Sequence, residues 1–527
     1  MKSVLFAILS GILSALSQPL VISLFSEKEL LNPFYAGFIA WISYVPIFYT
    51  LRNLEPKKAF LIGLLGGIFY FSIVLYWLDI AMTVFGNMPQ YLAVPALFLL
   101  VIYCALYWGF WAYLSTYIFK SIGIDFTIIA PFIFVALEYI RNYLLSGFPW
   151  GNIAYSQYKN LTFIQISSIG GIYLVQYVLL LINAVMEGWI RYFFLRNERK
   201  PITYSAILLG ILLFTYSFGL IRANNVSKEI SNSVHLKVSM LQGNIDQGIK
   251  KKSHEYRGSI LSNYIDLLEK AKAENAELVI WPEAAYPLGL PDEMTSFANP
   301  DLMPGISQSP FVQIIGVSTY YYDRGRRFLH NGAFLLDEKL NIKDKYYKSH
   351  LVPFGEYVPL GIPIEKFVTG IGTYVPGEEV KPAEISINGK NIKNGILICY
   401  EGIFPEISRE HSKKGANLLV NLTNDAWYGI SSAPYQHLSM YVFRAIENGK
   451  FLVRVANTGI TAIINPYGKI LSETNIFERT ILSGDVALIE GSTIYTKIGD
   501  IFAIVVTLFS IVIFIVAKII IKKRITR

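Results

Sequence analysis

Gly395-Ile396-Leu397-Ile398-Cys399-Tyr400-Glu401 is an apolar, β-branched run that ends abruptly in a thiol and a carboxylate. A short continuous apolar run bounded by turn signals reads as a buried strand, so Cys399 closes a predicted strand over 396–399. It is one of only two cysteines among 527 residues. A lone thiol outside any disulfide framework is a candidate nucleophile, although a single cysteine is more often an inert small core residue. The other, Cys104, lies within a long apolar stretch and reads as core.

Two further punctuated segments lie upstream: Val279-Ile280-Trp281-Pro282-Glu283, and Tyr346-Tyr347-Lys348-Ser349-His350-Leu351-Val352-Pro353-Phe354-Gly355-Glu356. Together the three supply a carboxylate, an ammonium and a thiol. A cysteine attacks a carbonyl only as its thiolate and therefore needs a base or electropositive surroundings. Glu283, following an apolar strand and Pro282, is placed to be that base. Lys348 then supplies positive charge to a tetrahedral oxyanion beside a backbone N–H, an interaction worth ~3 kcal/mol per donor. Taken singly, Glu283 reads equally well as a helix cap and Lys348 as a solvated cation. Three such segments in one order, each with its own Pro or Gly, favour the site over the coincidence.

The surroundings of these segments predict an α/β domain over 222–498. Short β-branched runs at 234–241, 278–281, 312–319, 396–399, 418–422, 451–455 and 460–464 read as strands, and 254–275, 403–414 and 434–448 as helices. The stretches 284–310 and 353–382 are too long for plain connections and read as lids that touch a bilayer through Phe297, Leu302, Met303, Phe367 and Val368.

Outside 222–498 the chain is a different material. Overall it is 53% hydrophobic and only 16% charged, against roughly 25% charged in a soluble domain. Apolar stretches at about 4–24, 34–51, 59–78, 91–119, 127–145, 163–190 and 203–221, and an uncharged run at 501–517, predict eight membrane spans. The expected division is thus seven spans over 1–221, the α/β domain, and an eighth span with a basic tail over 499–527. The first span lacks a small-residue cleavage site and reads as retained. With eight spans, Lys2, Arg52, Lys57, Lys58, Lys120, Arg191, Arg196, Arg199, Lys200 and Lys522-Lys523-Arg524 fall on one side. That side is expected to be cytoplasmic, with both termini, which puts 222–498 outside. The net charge of +8 is then an orientation and lipid-surface signal. No zinc-ligand spacing, RNP-type motif or basic helix argues for nucleic acid or metal.

The ordered Glu, Lys and Cys segments resemble those of the carbon–nitrogen hydrolase (nitrilase) superfamily. Framed by spans, the chain resembles the bacterial apolipoprotein N-acyltransferases from end to end. The resemblance extends to Gln242-Gly243-Asn244-Ile245, to Leu351-Val352-Pro353-Phe354-Gly355-Glu356-Tyr357-Val358-Pro359, to Asn424-Asp425-Ala426-Trp427-Tyr428-Gly429 and to Gly147-Phe148-Pro149-Trp150. It implies an α-β-β-α sandwich beside a polytopic helical membrane domain, with Glu283 as base, Lys348 as oxyanion-stabilising lysine and Cys399 as nucleophile, and no cofactor. Glu356 and the Tyr400-Glu401 pair are implied as supporting or substrate-binding groups. Trp427 and Trp150 fit either an acyl-chain route or interfacial anchoring, and Glu138 and Arg141, at i and i+3, fit an intrahelical pair.

The implied activity is ping-pong acyl transfer at the extracytoplasmic face of a bacterial inner membrane. A phospholipid gives its fatty acyl chain to Cys399 as a thioester, and the α-amine of the S-diacylglyceryl cysteine of an apolipoprotein then takes it. Membrane lipids are the remaining expected partners. The same triad also suits a membrane-tethered amidase or nitrilase-like hydrolase. One stretch departs from the family: Gly248-Ile249-Lys250-Lys251-Lys252 stands where a tryptophan is common, and reads as a solvated basic face near lipid headgroups.

Overall fold

The computed structural model describes residues 1–21, 35–195, 199–304, 306, 308–358 and 374–525. Its contacts divide the chain into two units. One comprises Met1–Asp79, Pro89–Arg222 and Ile498–Arg527, the other Ile80–Met88 and Ala223–Lys497.

The first unit is helical. Among the described residues five helices are long and apolar enough to cross a membrane: Pro56–Val74, Gln90–Ile122, Ser167–Phe194, Ile202–Asn232 and Ile501–Arg524. The other three apolar stretches fold as shorter helices. Lys2–Ser17 stops at Gln18 in extended conformation, as the residue before Pro19 must. Gly37–Trp41 is a 3-10 turn ahead of the short helix Val45–Leu51. Phe126–Arg141 ends where Arg141 turns its guanidinium onto the chain that follows. Arg141 pairs with Glu138 at 2.6 Å and also donates to the carbonyls of Phe148 (2.5 Å) and Trp150 (2.9 Å). The expected i, i+3 pair therefore forms, and it also braces the Gly-Phe-Pro-Trp turn.

The second unit is a four-layered α/β sandwich. One sheet contains β1 (Val234–Gln242), β2 (Leu278–Ile280), β3 (Gly289–Pro291), β4 (Val312–Asp323), β5 (Arg326–Leu336), β6 (Ile342–Tyr347) and β13 (Thr480–Leu488). Its order is β13-β1-β2-β4-β5-β6, with β3 paired to β4. The other, ordered β12-β11-β10-β9-β8-β7, contains β7 (Ala383–Ile387), β8 (Lys390–Ile398), β9 (Leu418–Thr423), β10 (Leu452–Ala456), β11 (Ala462–Ile464) and β12 (Ile470–Glu473). Both sheets are parallel at their centres, β1 on β2 on β4 and β8 on β9 on β10. Both faces of such strands are covered, which is why their sequences run apolar without alternation.

Period-two geometry sorts those side chains. Leu236, Val238, Met240, Leu278, Ile280, Val312 and Ile314 meet Ile396, Ile398, Leu418, Val420, Leu422, Val453 and Val455 in the core between the sheets. Leu241, Val279, Trp281, Ile315 and Val317 point the other way, onto Ile260, Leu261, Tyr264, Leu267 and Leu268 of the helix Arg257–Ala273. Helices Pro405–Lys413 and Ala433–Asn448 belong to the second sheet's side of the unit.

The stretch 284–310 corrects one expectation. Phe297 and Met303 are fully buried in the outer cluster with Tyr286, Leu290 and Phe334, and Phe297 lies edge-to-face with Tyr286 at 5.2 Å. These apolar side chains are core that a long connection contributes, not a surface left for lipid. Phe367 and Val368 lie outside the described residues.

Candidate active site

Glu283, Lys348 and Cys399 each stand just past the C-terminal end of a strand: β2, β6 and β8. Open α/β sheets place their sites at such ends. The Pro282–Glu283 backbone passes so close to β4 that a Cβ at position 316 would lie 2.0 Å from the Pro282 carbonyl oxygen, so only glycine fits there. Lys348 is fixed by its own N–H, which donates to the Asn331 carbonyl on β5 at 2.8 Å. Cys399 sits at φ +50°, the left-handed region that a non-glycine residue occupies only when its surroundings enforce it. It opens the 3-10 turn Cys399–Ile403.

The charged groups form one knot. The Lys348 ammonium, 1% exposed, lies 2.9 Å from Glu356 Oε1 and 3.7 Å from Glu283 Oε1. Asn331 Nδ2 bridges the same two oxygens, donating to Glu283 at 2.8 Å and to Glu356 at 3.0 Å. The other Glu356 oxygen accepts from Val352 N at 2.8 Å. Burial alone would lower the Lys348 ammonium, but Glu356 and then Glu283 hold it well above the ordinary lysine range, so it stays charged. Burial pushes the Cys399 thiol up, Glu283 adds to that, and Lys348 opposes it. The resting sulfur is therefore a thiol, which would have to give its proton to a base before it could act as a nucleophile.

Glu401 is a hub, not a surface. It is fully buried, and its Oε1 accepts from the Tyr346 hydroxyl (2.8 Å), Ser349 N (2.7 Å) and the Ser349 hydroxyl (2.7 Å), while Oε2 accepts from Ile398 N (2.7 Å). One carboxylate thus ties the residue after Lys348 to the residue before Cys399. Burial raises this carboxyl, against those donors. Tyr400 is buried against Phe404 and His350, with ring centres 5.0 and 5.8 Å away.

The two tryptophans part company. Trp427 is half-exposed on the turn Asp425–Tyr428, edge-to-face with Phe85 at 6.1 Å. Phe85 ends the π-helical turn Ala81–Phe85, which packs with the α/β unit. Trp150 belongs to the other unit, buried against Trp77 at 4.8 Å.

Lys250 corrects the reading of a solvated basic face. Its ammonium turns inward and donates to the Glu283 carbonyl at 3.1 Å. Burial lowers it to about 8, with Glu283 and Cys399 opposing that shift. Lys251 remains exposed and donates to the Phe85 carbonyl. Sequence reasoning also missed Asn331; its signal is register alone, since Gly332 pairs with Tyr347 and so sets Asn331 beside Lys348. Among the described residues no cluster of His, Cys, Asp or Glu has the form of a metal site.

Comparison with known proteins adds an independent result. Residues 237–492 match the model of the carbon–nitrogen hydrolase family, and residues 10–185 match that of the apolipoprotein N-acyltransferase N-terminal domain. A Geobacter metallireducens protein named apolipoprotein N-acyltransferase is 38% identical over 508 residues, covering 95% of this chain and 92% of that one. Relatives of the same name from Haemophilus ducreyi and Rickettsia prowazekii are 30% and 32% identical, over 89% and 85% of this chain and 90% and 88% of theirs.

Proposed function

The chain belongs to the apolipoprotein N-acyltransferase family, and from that premise we propose that it moves a fatty acyl chain from a phospholipid, through a thioester on Cys399, to the α-amine of an S-diacylglyceryl cysteine at the N-terminus of an apolipoprotein. The observation that carries this reading is the Lys348 ammonium held between Glu283 and Glu356 beside a buried thiol on left-handed backbone.

In the first half-reaction Glu283 takes the Cys399 proton as the sulfur attacks the ester carbonyl carbon. The carbonyl electrons move onto oxygen, and Lys348 together with the Tyr400 N–H holds the oxyanion. Collapse breaks the ester C–O bond, Glu283 returns its proton to the departing glycerol oxygen, and the lysophospholipid leaves. In the second half-reaction the α-amine attacks the thioester, Glu283 receives an N–H proton, the C–S bond breaks, and the thiol is restored as the amide leaves. Glu356 keeps Lys348 charged and placed, Asn331 holds the two carboxylates in register, and Glu401 locks the lysine and cysteine segments together. A buried site that excludes water protects the thioester from hydrolysis.

The domain division belongs to the same proposal: seven spans over 1–221, the catalytic domain over 222–498, and an eighth span with its basic tail over 499–527. The Lys and Arg distribution supports a multi-pass protein of the bacterial inner membrane with both termini cytoplasmic and the catalytic domain outside. A triad working on a soluble amide would have no use for the five helices of membrane-spanning length found among the described residues, so the amidase alternative is not favoured. Replacing the nucleophile tests the reading. Cys399→Ala should leave the thermal transition of the purified protein in place and abolish N-acylation of a diacylglyceryl-cysteine peptide; a substantial residual rate would remove Cys399 from the mechanism.

A further inference from the structure

Against the backbone carbonyl of the nucleophile lies a polar chain whose members are entirely buried: Arg454, Asp425, His437 and Tyr441. Arg454 Nη2 donates to Asp425 Oδ2 at 2.7 Å and approaches His437 Nδ1 at 3.0 Å. His437 Nε2 lies 3.2 Å from the Tyr441 hydroxyl, and that hydroxyl donates to the Cys399 carbonyl at 2.7 Å. The Thr423 hydroxyl donates to the remaining Asp425 oxygen at 3.0 Å.

The chemistry of the donors fixes the protons. Tyr441 has one hydroxyl hydrogen and the carbonyl can only accept, so that hydrogen points at Cys399 and Tyr441 must accept from His437. His437 therefore carries its hydrogen on Nε2. Burial lowers this imidazole, against Asp425, and its Nδ1 lies between Arg454 Nη2 at 3.0 Å and Asp425 Oδ1 at 3.2 Å. From Nε2 the chain runs in one direction, imidazole to phenol to carbonyl, with Arg454 and Asp425 holding the far side of the ring. Sequence makes room for it: a Cβ at Gly402 would lie 2.1 Å from the Tyr441 ring.

The Cys399 carbonyl is one end of a peptide unit whose other end is the Tyr400 N–H, the donor assigned to the oxyanion in the mechanism above. A hydrogen bond accepted by the carbonyl of an amide strengthens the hydrogen bond its N–H gives, by about 10–30% in condensed phases. We infer that Tyr441 and His437, anchored by Asp425 and Arg454, are positioning residues that orient and polarise the Cys399–Tyr400 peptide as an oxyanion donor. This deepens the proposed function and rests on it. The relay also gives the carbonyl of Cys399, a residue on left-handed backbone at φ +50°, a buried phenol to accept from.

Two reactions of the same sulfur separate this role from a merely structural one. Acyl transfer passes through an oxyanion; alkylation by iodoacetamide does not. With the full-length protein in phospholipid vesicles, Tyr441→Phe should slow acyl-Cys399 formation, and transfer from the thioester to a diacylglyceryl-cysteine peptide, each by about tenfold, the size expected of one hydrogen bond. The KM for phospholipid and the alkylation rate of Cys399 should stay within about twofold of wild type, the spread small context effects produce. His437→Leu should reproduce the defect, whereas His437→Gln, which keeps an N–H near the place of Nε2, should recover most of the rate. Parallel loss of alkylation, unchanged acyl transfer in Tyr441→Phe, or equal defects in the two His437 variants would each overturn the inference. Failure of the wild-type protein to acylate Cys399 would instead remove the proposed function itself.

Discussion

The helical unit and the α/β unit each bury a carboxylate against a cation, and they complete the arrangement differently. In the helical unit Arg141 meets both oxygens of Glu138, at 3.1 and 2.6 Å, and gives its remaining nitrogen to two carbonyls. One anion, one cation and two carbonyl acceptors leave nothing to exchange. In the α/β unit a single ammonium serves two carboxylates unequally, 2.9 Å from Glu356 and 3.7 Å from Glu283. The closer pair fixes the lysine. The looser one leaves Glu283 able to take a proton without dismantling the knot. Saturation makes a brace and unequal sharing suits the proposed base, although both pairs look alike as charged letters in an apolar sequence.

Breaking the brace should therefore cost stability and leave chemistry alone. Arg141→Ala strands a buried carboxylate and frees the Phe148 and Trp150 carbonyls, so the folded helical unit should lose about 3–5 kcal/mol. The check is a thermal or denaturant transition, with Cys399 alkylation per folded molecule unchanged. A stability loss under 1 kcal/mol would mean that water or lipid already satisfies Glu138.

Breaking the knot should do the reverse. Lys348→Ala removes the proposed oxyanion donor, worth ~3 kcal/mol, and should slow acyl loading by about a hundredfold or more. Phospholipid binding, measured separately, should persist. Losses from Glu283→Gln and Lys348→Ala should not add, because the two act as a unit.

The smallest effect concerns the second lysine. Lys250 titrates near 8 in the fold, below the ordinary lysine value, so it is an ammonium below that pH and neutral above it. Its charge stands beside Glu283 and Cys399 and, on the proposed mechanism, favours the thiolate form of the sulfur. Acyl loading should accordingly decline a few-fold as pH rises from about 7 to 9, a fraction of the ~1.4 kcal/mol that one pH unit represents. Lys250→Arg, which keeps its charge over that range, should flatten the profile. Identical profiles for the two proteins would assign Lys250 to structure alone.

Much of this was legible in the sequence, and the gaps have physical causes. Ile396–Cys399, Leu418–Leu422 and the helix carrying Leu267 and Leu268 are buried on both sides or along one stripe, so their periodicity is clean. The strands β3, β5, β6, β7, β12 and β13 escaped notice; β5 and β6 run outward into solvent, where exposed Arg326, Arg327 and Lys343 interrupt the pattern. Phe297 and Met303 looked like lid residues because a connection has no periodicity from which burial can be read. Asn331 and the Arg454-Asp425-His437-Tyr441 chain were invisible for a different reason. Their roles depend on who stands opposite: Asn331 meets Glu283, 48 residues away, through sheet register, and Tyr441 meets Cys399, 42 residues away, because the helix Ala433–Asn448 packs on the turn Cys399–Ile403. Glu401 was noticed for its neighbour Cys399, yet its partners at 346, 349 and 398 make it a clamp.

The central claim is that Cys399 holds the acyl chain in transit. Incubating the purified protein with phospholipid, quenching in acid and measuring the mass of the peptide containing Cys399 tests it directly. The account predicts that this peptide gains the mass of one fatty acyl group, that the label is lost on addition of a diacylglyceryl-cysteine peptide, and that Lys348→Ala accumulates it slowly. A protein that N-acylates the acceptor peptide while Cys399 never carries an acyl group would contradict it.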